Sequence, residues 1–198
     1  NQIQYNIFNY SNKNINLHKL WKTNPINDKS PIAYQNSTQL YNSLIQNTKK
    51  YDIPESIIKK SFIEFPHLKN NPTCDIQPLF KHLQDQYIKV AICTSDSRES
   101  TDKFIEEYKI NNYIDMVLCG DDEYFVQKPD PYNLELISNI LNIPTYDMAM
   151  IGDTTGDMKM ANAIDVFAIG VLTGVGTRQD LEKYSNIIIN SCDDLITS

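Results

Sequence analysis

Three short stretches hold the side chains with most chemistry to offer. They are Thr94-Ser95-Asp96, Lys128-Pro129-Asp130-Pro131 and Gly152-Asp153-Thr154-Thr155-Gly156-Asp157. The hydroxyl of Thr94 and the ammonium of Lys128 can each hold oxygens of a phosphoryl group. The carboxylates of Asp153 and Asp157, about one helical turn apart, can hold Mg2+ directly or through water. Such a set neutralises the charge of a transferring phosphoryl group, which is most of what that transfer asks of a protein. Each stretch also has a plainer reading. A Thr or Ser after a strand commonly caps the next helix, and Lys-Pro commonly sits in a solvated turn. Asp153 and Asp157 could serve the next helix as its cap and as a first-turn acid facing the helix dipole. Their common place at strand ends, and their order, favour the chemical reading.

The elements that must position them follow from periodicity. Apolar residues at helical spacing predict helices over 37–50 and 53–65, with Pro54 in the first turn of the second. From Ile76 onward helices and short apolar strands alternate. Helices are expected over 78–86, 99–108, 132–141 and 157–163, and strands over 88–94, 116–119, 148–152, 166–170 and 187–189. This alternation predicts an α/β, Rossmann-like core: a parallel sheet covered by helices on both faces, with its site at the strand carboxyl ends. Glycine divides the chain in the same way, because all six lie between Gly120 and Gly176. Positive φ or a close backbone approach would explain that clustering. The glycine-free first half reads as polar, helical and broken by proline.

Composition narrows the classes. The 198 residues suit one domain, or one core with a small insert, and the net charge is −7. That balance argues against a nucleic-acid or anionic-membrane surface, and no apolar run approaches the ~20 residues of a membrane span. Cys74, Cys93, Cys119 and Cys192 are widely spaced without a CxxC pair. They read as unpaired thiols, Cys93 and Cys119 as core residues, which points to a reducing compartment, the cytoplasm or an organelle matrix such as the mitochondrial one. His18, His67 and His82 lie away from the three stretches and read as surface or structural residues. Asp121-Asp122-Glu123 reads as a solvated acidic loop. The absence of Met at position 1 suggests a processed or trimmed product.

With these stretches in view, the chain resembles the haloacid dehalogenase (HAD)-like superfamily, in particular its phosphoglycolate-phosphatase-like branch. "VAICTSDSRES" looks like the second motif of that family, which makes Thr94 the phosphate-binding hydroxyl. "QKPDPYNLELI" looks like the third and makes Lys128 the phosphate-neutralising lysine. "MAMIGDTTGDMKMANA" looks like the fourth and makes Asp153 and Asp157 the magnesium carboxylates. "AIGVLTGVGT" is similar to the loop after the next strand. The resemblance implies a HAD core over 75–198, a small helical cap over 17–74, and a first core strand with its motif loop over 1–16. A receiver-like domain, which also sets Thr/Ser and Lys around an aspartate, has its acidic residues before the Thr and Lys; here they come after.

The first family motif, Asp-x-Asp-Gly-Thr, is the departure. Its first Asp attacks phosphorus; its second protonates the leaving group and then activates water. No Asp-x-Asp-Gly occurs in the sequence, and Asp28 is the first aspartate. The family sheet carries its first strand in the middle, and a hole there would leave unpaired backbone on two sides. The residues 2–8 are the best candidate for that strand. Aligning "IFNYSNKNINLHKLW" with the pattern puts Asn9 at the nucleophile and Ser11 at the acid/base, with Asn12 and Lys13 replacing Gly and Thr. Neither side chain can do its counterpart's chemistry. The resemblance therefore implies a phosphatase-fold protein without phosphatase activity, serving as a structural or ligand-binding subunit of a larger assembly or homo-oligomer, with weak Mg2+ binding. The alternative is an active Mg2+-dependent phosphatase acting on a small phosphorylated metabolite, with its nucleophile on sequence preceding residue 1.

Overall fold

The computed structural model describes residues 37–49, 53–63 and 72–196. The chain separates into two compact units, Asn1–Asn70 and Asn71–Ser198. The expected strand at 2–8, with Asn9 and Ser11, lies outside the described residues.

Two helices are described in the first unit, α1 (Ser37–Thr48) and α2 (Glu55–Ile63). Leu44 and Ile58 are buried where they pack, and Tyr41 donates to Glu55 (3.2 Å). Pro54 stands just before α2 rather than within it, and its carbonyl accepts from Ile57 N. Position 54 suits a residue with no N–H to lose.

The second unit alternates helix and strand. In order it contains α3 (Ile76–Asp85), β1 (Ala91–Cys93), α4 (Arg98–Glu107), β2 (Met116–Leu118), α5 (Tyr132–Leu141), β3 (Ala149–Gly152), α6 (Thr155–Asn162), β4 (Phe167–Val171), α7 (Arg178–Leu181) and β5 (Ile187–Ile189). All strand pairs are parallel. Among the described residues they form two ladders, β1–β2 and β3–β4–β5, so β1 and β3 each pair on one side. Both ladders rest on one core: Ala91, Cys93 and Met116 pack against a cluster that includes Leu134, Met150, Met158, Ala168 and Leu181. In β4, four consecutive residues are buried. Successive strand residues face opposite sides, so this strand is covered on both faces, as the apolar run requires. The α/β, Rossmann-like arrangement expected of the chain is thus present.

Two details differ from expectation. The strand expected over 88–94 is only Ala91–Cys93, because Val90 N donates to the Asp115 carboxylate (2.8 Å) instead of to a neighbouring strand. The helix α7, a single turn capped by Thr177, is too short to show a periodicity. Among the described residues, no helix is long and apolar enough to cross a membrane.

Four helices end alike, without glycine. Tyr87, Lys109, Asn142 and Asp165 adopt positive φ of 53–58° after α3, α4, α5 and α6. Each next residue, Ile88, Ile110, Ile143 or Val166, donates its N–H back to a carbonyl five residues earlier. This is the Schellman closure, in which an apolar residue follows the left-handed one. Ile110 and Val166 are buried there. Helix termination in this chain therefore does not draw on glycine.

Candidate active site

Lys128 lies at the centre. Its Nζ donates to Asp157 Oδ1 (2.7 Å) and to the carbonyl of Cys93 (2.9 Å), the last residue of β1. Only 13% of the lysine side chain and 6% of the aspartate side chain are exposed, so the pair is shielded. Burial by itself pushes the ammonium toward losing its proton more easily. The Asp157 carboxylate opposes that, with Cys93 and Asp153 contributing, and holds Lys128 above the ordinary lysine value. The plain reading of Lys-Pro as a solvated turn does not hold for Lys128. The peptide bond that follows it, Lys128–Pro129, is cis.

Asp157 is held from its other side by Thr154. Both the N–H and the hydroxyl of Thr154 donate to Asp157 Oδ2 (3.1 and 2.7 Å), and Asp157 N donates to Thr154 Oγ1 (3.2 Å). This reciprocal capping box starts α6. The capping role considered for Asp153 belongs to Thr154, which sequence reasoning passed over. A Thr-x-x-Asp spacing was the signal for it. Asp153 sits one residue earlier, and its Oδ2 accepts from Val175 N (2.8 Å) in the loop after β4.

The glycines close around these carboxylates. A Cβ at Gly152 would lie 2.4 Å from Asp157 Cβ, and one at Gly174 would lie 1.9 Å from Asp153 Oδ2. None of the glycines has positive φ. Of the two expected reasons for their clustering, the close approach is the one observed, and at Gly152 and Gly174 what approaches is an acidic side chain of the protein itself.

Thr94 follows directly on the Cys93 carbonyl that Lys128 holds. Its Oγ1 accepts from Asp96 N (3.1 Å), which leaves its O–H to donate elsewhere. Ser97, not Thr94, caps α4. The acidic loop is also more engaged than expected: Asp121 accepts from Arg98 N (2.7 Å) and Asp122 pairs with the Arg98 guanidinium.

A magnesium site requires oxygen donors that are free. Both oxygens of Asp157 are engaged, whereas Asp153 keeps Oδ1, and no group of three or more His, Cys, Asp or Glu suited to a metal occurs among the described residues. Mg2+ commonly sits on one or two carboxylates, with water and phosphate oxygens filling its shell. Asp153 fits that sparse mode.

Comparisons with known proteins bear on the family and the fold. The chain matches the family model described as haloacid dehalogenase-like hydrolase over residues 1–171. It is 30% identical over 115 residues to the protein named probable phosphatase IndB of Dickeya dadantii, covering 58% of this chain and 50% of that one. It is 21% identical over 142 residues to a phosphoglycolate phosphatase of Photobacterium profundum, covering 71% and 62%. The chain spans between about half and three fifths of the length of these curated relatives. Among solved structures, a predicted phosphoglycolate phosphatase from Haemophilus somnus superposes with a TM-score of 0.71 at 14% identity, over 99% of this chain and 89% of that one. A hydrolase from Pseudomonas syringae superposes with a TM-score of 0.66 at 18% identity, over 98% and 87%. At such identities the superpositions speak to the fold. The family match, which takes in well over half of the sequence, shows that the protein belongs to the haloacid dehalogenase-like hydrolases.

Proposed function

We propose that this chain keeps the phosphate-holding half of a phosphatase site and does not hydrolyse phosphate esters. The observation that carries the reading is the contrast between two parts of the sequence. Lys128, Asp157 and Thr154 form a connected, largely shielded network, whereas in the register set out above the family's Asp-x-Asp positions fall on Asn9 and Ser11. The family match takes in residues 1–16, which supports reading this stretch as part of the family domain. An Asn amide is no nucleophile for phosphorus, and Ser11 cannot relay a proton as a carboxyl does.

In this reading Lys128 neutralises charge on a bound phosphoryl group and the Thr94 hydroxyl donates to one of its oxygens. Asp157 keeps the lysine charged and aimed, and Thr154 holds Asp157. Asp153 would hold Mg2+ through its free oxygen, and the ion would supply further neutralisation of the phosphate. The product of this arrangement is binding without turnover, in a structural or ligand-binding subunit of a larger assembly or homo-oligomer. The test is hydrolysis of a broad panel of phosphate esters by the natural protein with Mg2+. No magnesium-dependent turnover is expected, and robust turnover would overturn the reading.

A second reading has its own support, the phosphatase names of the curated relatives. In it the natural protein carries Asp-x-Asp-Gly-Thr ahead of residue 1 and is an active phosphatase on a small phosphorylated metabolite. Intact mass and N-terminal sequence of the natural protein decide between the two.

A further inference from the structure

The four cysteines read as unrelated thiols in the sequence, yet two of them meet. Cys74 lies just before α3, and Cys192 begins the 3-10 turn Cys192–Leu195 after β5. Hydrogen bonds bracket the pair on both sides. Asp75 N donates to Asp193 Oδ1 (2.8 Å), and Ser191 Oγ donates to the Thr73 carbonyl (3.2 Å). Each bond joins residues 118 positions apart, and the two cysteines are the residues between them. These two bonds hold Cys74 and Cys192 beside each other. Both are free thiols and both are partly exposed, whereas Cys119 is buried. None of this belongs to the site around Lys128.

We propose that Cys74 and Cys192 are a dithiol that closes to an intramolecular disulfide by exchange with a low-molecular-weight disulfide, clamping the start of the second unit to its last turn. The Cys192 thiolate attacks one sulfur of the small disulfide, forming a mixed disulfide and releasing one small thiolate. Cys74, deprotonated, then attacks Cys192 Sγ and expels the second small thiolate. The two protons lost by the cysteines end on the two small thiols, so one disulfide is reduced as one is made. Burial and the Asp193 and Asp194 carboxylates raise the Cys192 thiol too, but less far than Cys74, so Cys192 attacks first. Cys74 is the slower thiol: burial, Cys192 and the acidic Asp193 and Asp75 push it up to about 11. Closure at neutral pH is therefore expected to be slow but selective, because the flanking hydrogen bonds already hold the two cysteines side by side.

The experiment incubates the natural protein with oxidised glutathione, blocks residual thiols and maps non-reduced peptides by mass spectrometry. A single linkage joining the Cys74 and Cys192 peptides is expected, absent from Cys74→Ser and Cys192→Ser and retained in Cys93→Ser. Closing so long a loop should raise Tm by on the order of 10 °C, reversed by reductant. The proposal is overturned if only mixed disulfides with glutathione accumulate, if the linkage involves Cys93 or Cys119, or if the linked protein melts no higher than the reduced one. Mapping on the unsubstituted protein keeps the result independent of whether either serine variant folds.

Discussion

Lys128 and Asp157, 29 positions apart in sequence, form a shielded ion pair of 2.7 Å whose lysine also binds the backbone at the end of β1. The pair ties the loop before α5, the first ladder and the start of α6 into one unit. A shielded pair of this kind is no great source of stability when whole, because both ions have lost water. Breaking it leaves one charge stranded, and that is costly.

Lys128→Met should therefore lower stability by about 3–5 kcal/mol, read from urea unfolding midpoints. Adding Asp157→Leu to Lys128→Met should recover part of the loss, since the stranded carboxylate is gone. Additive losses would show that the two side chains act independently.

Gly152→Ala and Gly156→Ala should separate sharply. The first puts a methyl 2.4 Å from Asp157 Cβ and should cost roughly 1–3 kcal/mol by overpacking. At Gly156, in the first turn of α6, the nearest atoms are 3.4 and 3.7 Å away, and alanine is the better helix former. That variant should be neutral or more stable, in the same unfolding assay.

Tyr87 is left-handed with φ 58° and 95% exposed, so its side chain does little for the fold. Tyr87→Gly relieves the steric cost of that backbone at some loss of chain entropy. A net gain of about 0.5–1 kcal/mol is expected, seen as a higher Tm.

The Asp122 carboxyl titrates below the ordinary carboxylate value. Burial resists this, but the Arg98 guanidinium and the Cys119 N–H outweigh it. A group depressed in the folded state adds stability that is complete above its unfolded value and is lost as pH falls through its folded one. Asp122→Asn should thus destabilise the protein at neutral pH, by no more than about 1 kcal/mol given the exposure of Arg98. The gap to the unsubstituted protein should close in acid, below about pH 4.

Magnesium should raise Tm by mass action if Asp153 holds it. At ten times its dissociation constant the ion adds about 1.4 kcal/mol. Asp153→Asn should abolish the shift, and Ca2+ at equal concentration should match it poorly, because the free donors are few and Ca2+ fills a larger shell of oxygens.

The elements were largely legible. The helix Tyr132–Leu141 and the strand Ile187–Ile189 stand at their expected limits, because near-neighbour sterics and periodicity act within a few residues. The places of Thr94 and Asp153 directly after strands were legible for the same reason, whereas Lys128 lies ten residues beyond its strand and Asp157 within α6. Strand 88–94 was overdrawn, because a side chain from 25 positions away caps it early. The helix closures at Tyr87, Lys109, Asn142 and Asp165 went unseen because glycine is the usual sign of a left-handed residue.

What the sequence by itself determined is the alternation of helix and apolar strand, and with it the family and the candidate side chains of the site. Only the tertiary structure decided their partners. It gave Lys128 to Asp157, turned Asp157 toward Thr154 and left Asp153 the free oxygen. It also brought Cys74 to Cys192 from opposite ends of the second unit. Local pattern fixes which surfaces each element must bury. Which residues then meet depends on how distant elements pack, and no short window of sequence contains that information.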